Sequence, residues 1–181
     1  AEAVIRAAAL AFALASAGTA GADPAVPEPQ GYHGEPYLSP VPDTLSGATV
    51  MDAAAAARAQ AEGAVLIDVL PQVRRPEGLQ AGTLFRVPRH DTIPGAVWLP
   101  GVGYEALSAQ DSARFSAALE RISGGQADFP LVFFCKPDCW MSWNAAKRAV
   151  TLGYRRVGWF PGGTDAWAAT EGDLTPATPL D

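Results

Sequence analysis

Residues 131–143 read LVFFCKPDCWMSW, and this run decides the fold. Leu131 to Phe134 is a short, continuously apolar stretch, the pattern of a strand buried on both faces of a parallel sheet. From Trp140 the pattern predicts a helix reaching about Leu152, with Gly153 as its stop. The five residues between, Cys135-Lys136-Pro137-Asp138-Cys139, form a loop at the strand's carboxyl end. That loop sets Cys135 facing the next helix's N-terminus, where backbone N–H groups and the helix dipole stabilise a thiolate. The two cysteines are the only ones in the chain, and three residues lie between them.

Working outward, the same alternation continues. Asp52 caps an alanine-rich helix that Gly63 stops after Glu62. Residues 64–69 (AVLIDV) form a second buried strand, and residues 96–99 (AVWL) a short one. Ser108 with Asp111 is a capping box for a helix to Ile122, whose apolar face is Phe115, Ala118, Leu119 and Ile122. Val157 to Phe160 is a last strand, and Gly162-Gly163 turns the chain into a short helix carrying Trp167. Thr49-Val50 is a candidate first strand. Strand and helix alternate throughout, so the expected class is α/β with a central parallel sheet flanked by helices. Residues 71–95 form a long loop holding Arg74, Arg75, Arg86, Arg89 and His90, and loops of this length are usually functional or disordered. Residues 23–46 carry six prolines. They read as an extended tether anchored by Tyr32, Tyr37 and Leu38.

A chain of 181 residues has room for one well-filled core. Its net charge of −6 and lack of a long basic run argue against a nucleic-acid partner. The first 22 residues fit a secretory signal. Arg6 is the basic end, residues 7–17 are the apolar stretch, and Ala20-Gly21-Ala22 is the cleavage site. The stretch is too short and alanine-rich to span a bilayer, so no membrane association is expected once it is removed. The expected organisation is a signal over 1–22, a Pro-rich extension over 23–46 and one domain over 47–181. Export would set the cysteine pair in an oxidising compartment.

Several blocks resemble the rhodanese domains. Leu66-Ile67-Asp68-Val69 resembles their first core strand, and Ile93-Pro94-Gly95-Ala96 their "IPGA" turn. Leu152-Gly153-Tyr154, Val157, Gly162-Gly163 and Ala166-Trp167 resemble their closing segment. Cys135 falls where the rhodanese active cysteine falls. The resemblance covers roughly residues 47–175 and implies a rhodanese-like α/β fold. The Cys139-Trp140 pair and residues 93–100 (IPGAVWLP) look like one exported branch, the CXXCW motif family associated with catabolism dependent on pyrroloquinoline quinone (PQQ). That resemblance implies a periplasmic role beside PQQ-dependent dehydrogenases, acting on a partner protein or a small thiol. No residue pattern points to PQQ binding, and no cofactor is expected in this chain.

Three chemistries fit the pair. In thiol–disulfide exchange, Cys135 attacks and Cys139 resolves the mixed disulfide. In sulfur transfer of the rhodanese kind, Cys135 carries a persulfide, which a thiol as close as Cys139 would tend to discharge. In the third, the pair is a structural disulfide in a partner-binding module docked through the 71–95 loop. Lys136 would lower a thiolate pKa and Trp140 would shield the pair; Lys136, Asp138, Trp140 and Met141 are the residues expected to meet a substrate. Arg86, His90 and Asp68 are candidates for the site rim. Rhodanese loops usually carry glycine and arginine after the cysteine. This loop has neither, Asp138 adds negative charge, and Leu70 stands where an arginine commonly follows the strand. Thiosulfate transfer is the weaker form of the second reading for that reason. A metal site lacks ligands, since His33 and His90 are the only histidines and neither has ligand spacing. Covalent haem is excluded by the cysteine spacing and by Trp140 where histidine is required.

Overall fold

A computed structural model describes residues 25–180 of the chain. The expected signal segment, 1–22, lies outside the described residues. Five strands form one parallel sheet: β1 (Thr49–Val50), β2 (Val65–Asp68), β4 (Val97–Trp98), β5 (Leu131–Phe134) and β6 (Val157–Phe160), in the order β1-β6-β5-β2-β4. Two further strands, β3 (Asp91–Thr92) and β7 (Thr175–Pro176), pair antiparallel outside that sheet. Four helices surround it: α1 (Ala53–Ala61), α2 (Ala109–Ser123), α3 (Trp140–Thr151) and α4 (Gly163–Thr170).

Period-two alternation along the strands divides the core into two layers. Ile67, Leu131, Phe133, Val157 and Trp159 face α2 and α3, whose inward residues include Phe115, Leu119, Trp143 and Ala146. Leu66, Val132, Phe134 and Phe160 face α1 and α4, against Ala53, Ala56 and Trp167. All four residues of β5 and of β6 are buried, as a central strand covered on both faces requires.

The helix ends follow local chemistry. Asp52 accepts from the Ala55 N–H at 2.7 Å and caps α1. The Ser108 hydroxyl accepts from the Asp111 N–H at 3.0 Å, and Gly124 closes α2 in the left-handed region at φ 61°. The β3–β7 pair was not expected, because residues 71–95 read as loop throughout. Two-residue strands carry no measurable periodicity, and Pro176 reads as a breaker although an outer strand tolerates it.

Phe115 is fully buried and packs its ring against Phe133, with centroids 6.1 Å apart. Phe115→Ala should lower unfolding stability by about 3–5 kcal/mol in urea titration. A loss below 1 kcal/mol would mean that α2 does not pack on the sheet in this way.

Candidate functional site

Cys135 is the first residue past β5, and its backbone is pinned from the other side of the loop. Its carbonyl accepts from the Thr164 N–H at 3.0 Å. Gly163 has φ +52°, and a Cβ there would lie 2.6 Å from the Cys135 carbonyl carbon and 2.7 Å from Lys136 Cα. Only glycine lets the start of α4 approach the loop this closely. Asp138 also sits in the left-handed region, at φ 53°, the one described residue other than glycine to do so. That turn brings Cys139 back beneath Cys135.

The two cysteines form a disulfide, with Cα atoms 6.2 Å apart. This separation lies within the normal disulfide range. As expected, the helix begins at Trp140, which makes Cys139 its N-cap residue, with no side-chain cap hydrogen bond. One expectation is corrected here. The sequence reading sets the Cys135 sulfur as a stabilised thiolate facing the helix start. Instead it is bonded to Cys139, and each cysteine is only 1% exposed.

The cover over the pair is the Pro-rich extension. Leu38 forms an antiparallel bridge with Cys139. The Ser39 N–H donates to the Asp138 carbonyl, and the Trp140 N–H donates to the Tyr37 carbonyl, both at 2.9 Å. The second bond satisfies one of the four orphan N–H groups at the start of α3. Trp140 Nε1–H donates to Ser39 Oγ at 3.0 Å, and the Trp140 ring stacks on His33 with centroids 3.8 Å apart.

Each end of this strap is fixed separately. The Asn144 carboxamide donates to the His33 carbonyl and accepts from the His33 N–H, both at 2.9 Å, while its other N–H reaches the Gly103 carbonyl. Lys147 Nζ donates to the carbonyls of Pro29 and Gln30. On the far side, Trp143 Nε1–H donates to the Thr44 carbonyl at 3.1 Å, and Leu45 is buried. Glu28 ties the two ends together, accepting from the Thr44 hydroxyl and the Ser46 N–H. The Thr44 bond is the main reason its carboxyl is held below the ordinary carboxylate range.

The residues expected to meet a substrate lie around this loop. Lys136 is half-buried, Asp138 is exposed, Trp140 lies under His33, and Met141 lines an open groove beside the strap. The candidate rim residues lie elsewhere. Asp68 is paired in register with Phe134 and shares the α1/α4 side of the sheet, whereas Cys135 belongs to the α2/α3 layer. Asp68 is fully buried and fully engaged. Its Oδ2 meets His90 Nε2 at 2.7 Å and accepts from the Thr92 hydroxyl at 2.6 Å, and its Oδ1 accepts from the Leu70 N–H at 2.9 Å. His90 also packs on the Trp98 ring. This cluster fastens β3 to the end of β2. Arg86 is exposed on the long loop, and Arg89 pairs with Asp91.

The sequence reading missed His33, Ser39, Thr44 and Asn144 as site residues. A signal was present: Trp140, Trp143 and Asn144 crowd one helix start, and their polar tips need partners once buried. Among the described residues, no group of three or more His, Cys, Asp or Glu side chains is placed to hold a metal ion. No described helix is long and apolar enough to cross a membrane.

The loop that carries both cysteines runs from a central parallel strand to a helix and faces the glycine start of α4, in a parallel α/β domain. Residues 52–170 match the rhodanese-like domain, and the chain belongs to that family. No match is found among curated proteins. Among solved structures, an uncharacterized protein from Saccharomyces cerevisiae is 18% identical, with a TM-score of 0.41, covering 70% of this chain and 95% of that one.

Gly163→Ala should cost at least about 1–2 kcal/mol from the left-handed backbone alone, before any displacement of the cysteine loop. Thermal unfolding checks it; an unchanged melting temperature would separate α4 from the loop.

Proposed function

We propose that this protein is an exported thiol–disulfide exchange protein of the rhodanese-like family, working in the periplasm beside PQQ-dependent catabolism. The branch, the export and the location rest on the CXXCW-type resemblance and the signal-like N-terminus. The activity rests on one observation: the cysteine pair closes a very short loop at the carboxyl end of the central strand, with one sulfur at a helix N-cap.

That placement gives the two sulfurs different roles. A thiolate on Cys139 sits at the positive end of α3, so it is the better leaving group. A partner thiolate forms its bond to Sγ of Cys135, the Cys135–Cys139 bond breaks, and the electron pair leaves on Sγ of Cys139. A second partner thiol then attacks the partner's own sulfur and releases Cys135. The partner dithiol becomes a disulfide and this chain becomes the dithiol; run backwards, the same steps reduce the partner. Cys135 is the sulfur that carries the mixed disulfide and Cys139 the one that resolves it. Lys136, half-buried and next to Cys135 in the chain, adds positive charge to the cysteine loop.

The short loop also limits how much the bond adds to stability. With a sequence separation of 4, the loop-closure estimate is about 2 kcal/mol, against nearly 5 kcal/mol for a loop of a hundred residues. A bond with so small a structural return is better suited to being opened and closed.

A second reading has its own observation. Both cysteines are buried, which suits a structural disulfide in a partner-binding module. The reduction potential separates the two. Exchange predicts a value above about −300 mV, and a structural bond a value below it. Under the exchange reading, Cys135→Ser abolishes exchange with a dithiol, while Cys139→Ser accumulates mixed disulfides visible by intact mass. Equal and mild effects of the two changes would refute the role assignment.

A further inference from the structure

The strap is bound to the cysteine loop as a peptide would be. Tyr37, Leu38 and Ser39 run antiparallel to residues 138–140 and exchange two main-chain hydrogen bonds with them. Main-chain pairing of this kind takes any extended polypeptide, with side-chain pockets left to give preference. Here the occupant fits its place incompletely. Leu38, at the centre of the pairing, remains 52% exposed. Beside it lies an open groove of about 710 Å³, one wall formed by the strap's own Glu35, Pro36, Tyr37 and Leu38 and the other by Pro71, Tyr104 and Met141. When the crossing lifts, the second wall stays, and it is apolar and aromatic.

The strap is held at its middle by the two main-chain bonds, by the Trp140 Nε1–H given to Ser39 Oγ, and by Tyr37, whose hydroxyl accepts from the Glu105 N–H at 3.3 Å and whose ring meets Tyr104 edge-on. Its ends are fixed by contacts that do not involve the crossing: Asn144 and Lys147 hold residues 29–33, and Trp143 with buried Leu45 holds the other end. Glu35, Pro36, Leu38 and Pro40 are exposed. The crossing can lift while both ends stay seated, and lifting it is what uncovers sulfurs that are otherwise 1% exposed.

We propose that residues 36–40 occupy a binding site for an extended segment of a partner polypeptide, one presenting a large apolar or aromatic side chain to Pro71, Tyr104 and Met141 from the position of Leu38. The partner's main chain takes over the bonds to the Asp138 carbonyl and the Trp140 N–H. The strap is then a built-in competitor, and only a polypeptide able to displace it reaches the disulfide. This rests on the exchange reading for its purpose but not for its geometry.

The test uses the full chain with residues 36–40 changed to glycine and serine, its fold checked by circular dichroism. The probe is a fluorescent peptide with the sequence of residues 34–41, in which the counterpart of Leu38 is either leucine or phenylalanine. Fluorescence anisotropy on the oxidised protein should show saturable binding to the opened variant, tighter for phenylalanine, and at least tenfold weaker binding to the unaltered chain. Dithiothreitol should reduce the opened variant at least tenfold faster. Ser39→Pro, which removes both the N–H given to Asp138 and the hydroxyl taken by Trp140, should move both readouts the same way and serves if the first variant fails to fold. A folded, readily reduced variant that binds neither peptide overturns the inference and leaves the exchange reading in place, with a small thiol as its substrate. A variant that binds peptide but resists dithiothreitol supports the site and refutes exchange.

Discussion

The first two turns of α3 bury two indoles, a carboxamide and the cap cysteine, and every polar atom among them must find a partner inside the protein. An unpaired buried donor costs about 1–3 kcal/mol, so this requirement outweighs most single apolar contacts nearby. The sheet meets part of it: Trp159 Nε1–H reaches Ser142 Oγ, which in turn donates to the Cys139 carbonyl. The rest comes from outside the domain's regular elements. Ser39, Thr44 and His33 supply the acceptors and donors that the helix start lacks. A Pro-rich segment with little hydrogen bonding of its own has free carbonyls to offer, which is why it serves as the cover.

Strand alternation explains why two polar clusters at the same end of the sheet do different work. Asp68 and Cys135 lie at the ends of neighbouring strands, yet their side chains belong to opposite layers. Asp68 is surrounded by three fixed donors or partners and holds β3 in place. The cysteines face the layer that the strap closes. His90 is engaged by Asp68 and packs on Trp98, away from the cysteine loop.

Much of the fold was legible in the sequence because its main signals are strong. Buried strands such as residues 131–134, capped helices such as the one opened by Ser108, and the strand–helix alternation all act over short range. The β3–β7 pair was not legible, since two residues and a proline give no pattern. The site was half legible. Spacing identified the cysteine pair and the loop between a strand and a helix. It could not show that the pair is bonded and covered, because burial depends on what packs over the loop. Nor could it show that the extension lies across the loop, since Tyr37 and Ser39 are more than ninety residues from Trp140 and long-range docking leaves no local period.

Burial is compatible with the proposed exchange because exposure and potential are different quantities. Exposure sets how fast a thiolate reaches a sulfur. The potential is set by the relative free energies of the dithiol and disulfide forms. The strap joins the two through linkage. It pairs with the loop in the turn that the disulfide holds, with Asp138 at positive φ and its carbonyl turned to Ser39. If opening the bond relaxes that turn, reduction weakens the strap, and by reciprocity the seated strap makes the bond harder to reduce by the same free energy. A partner that displaces the strap would then both expose the disulfide and raise its potential. Access and reactivity would change together, through the same two main-chain hydrogen bonds.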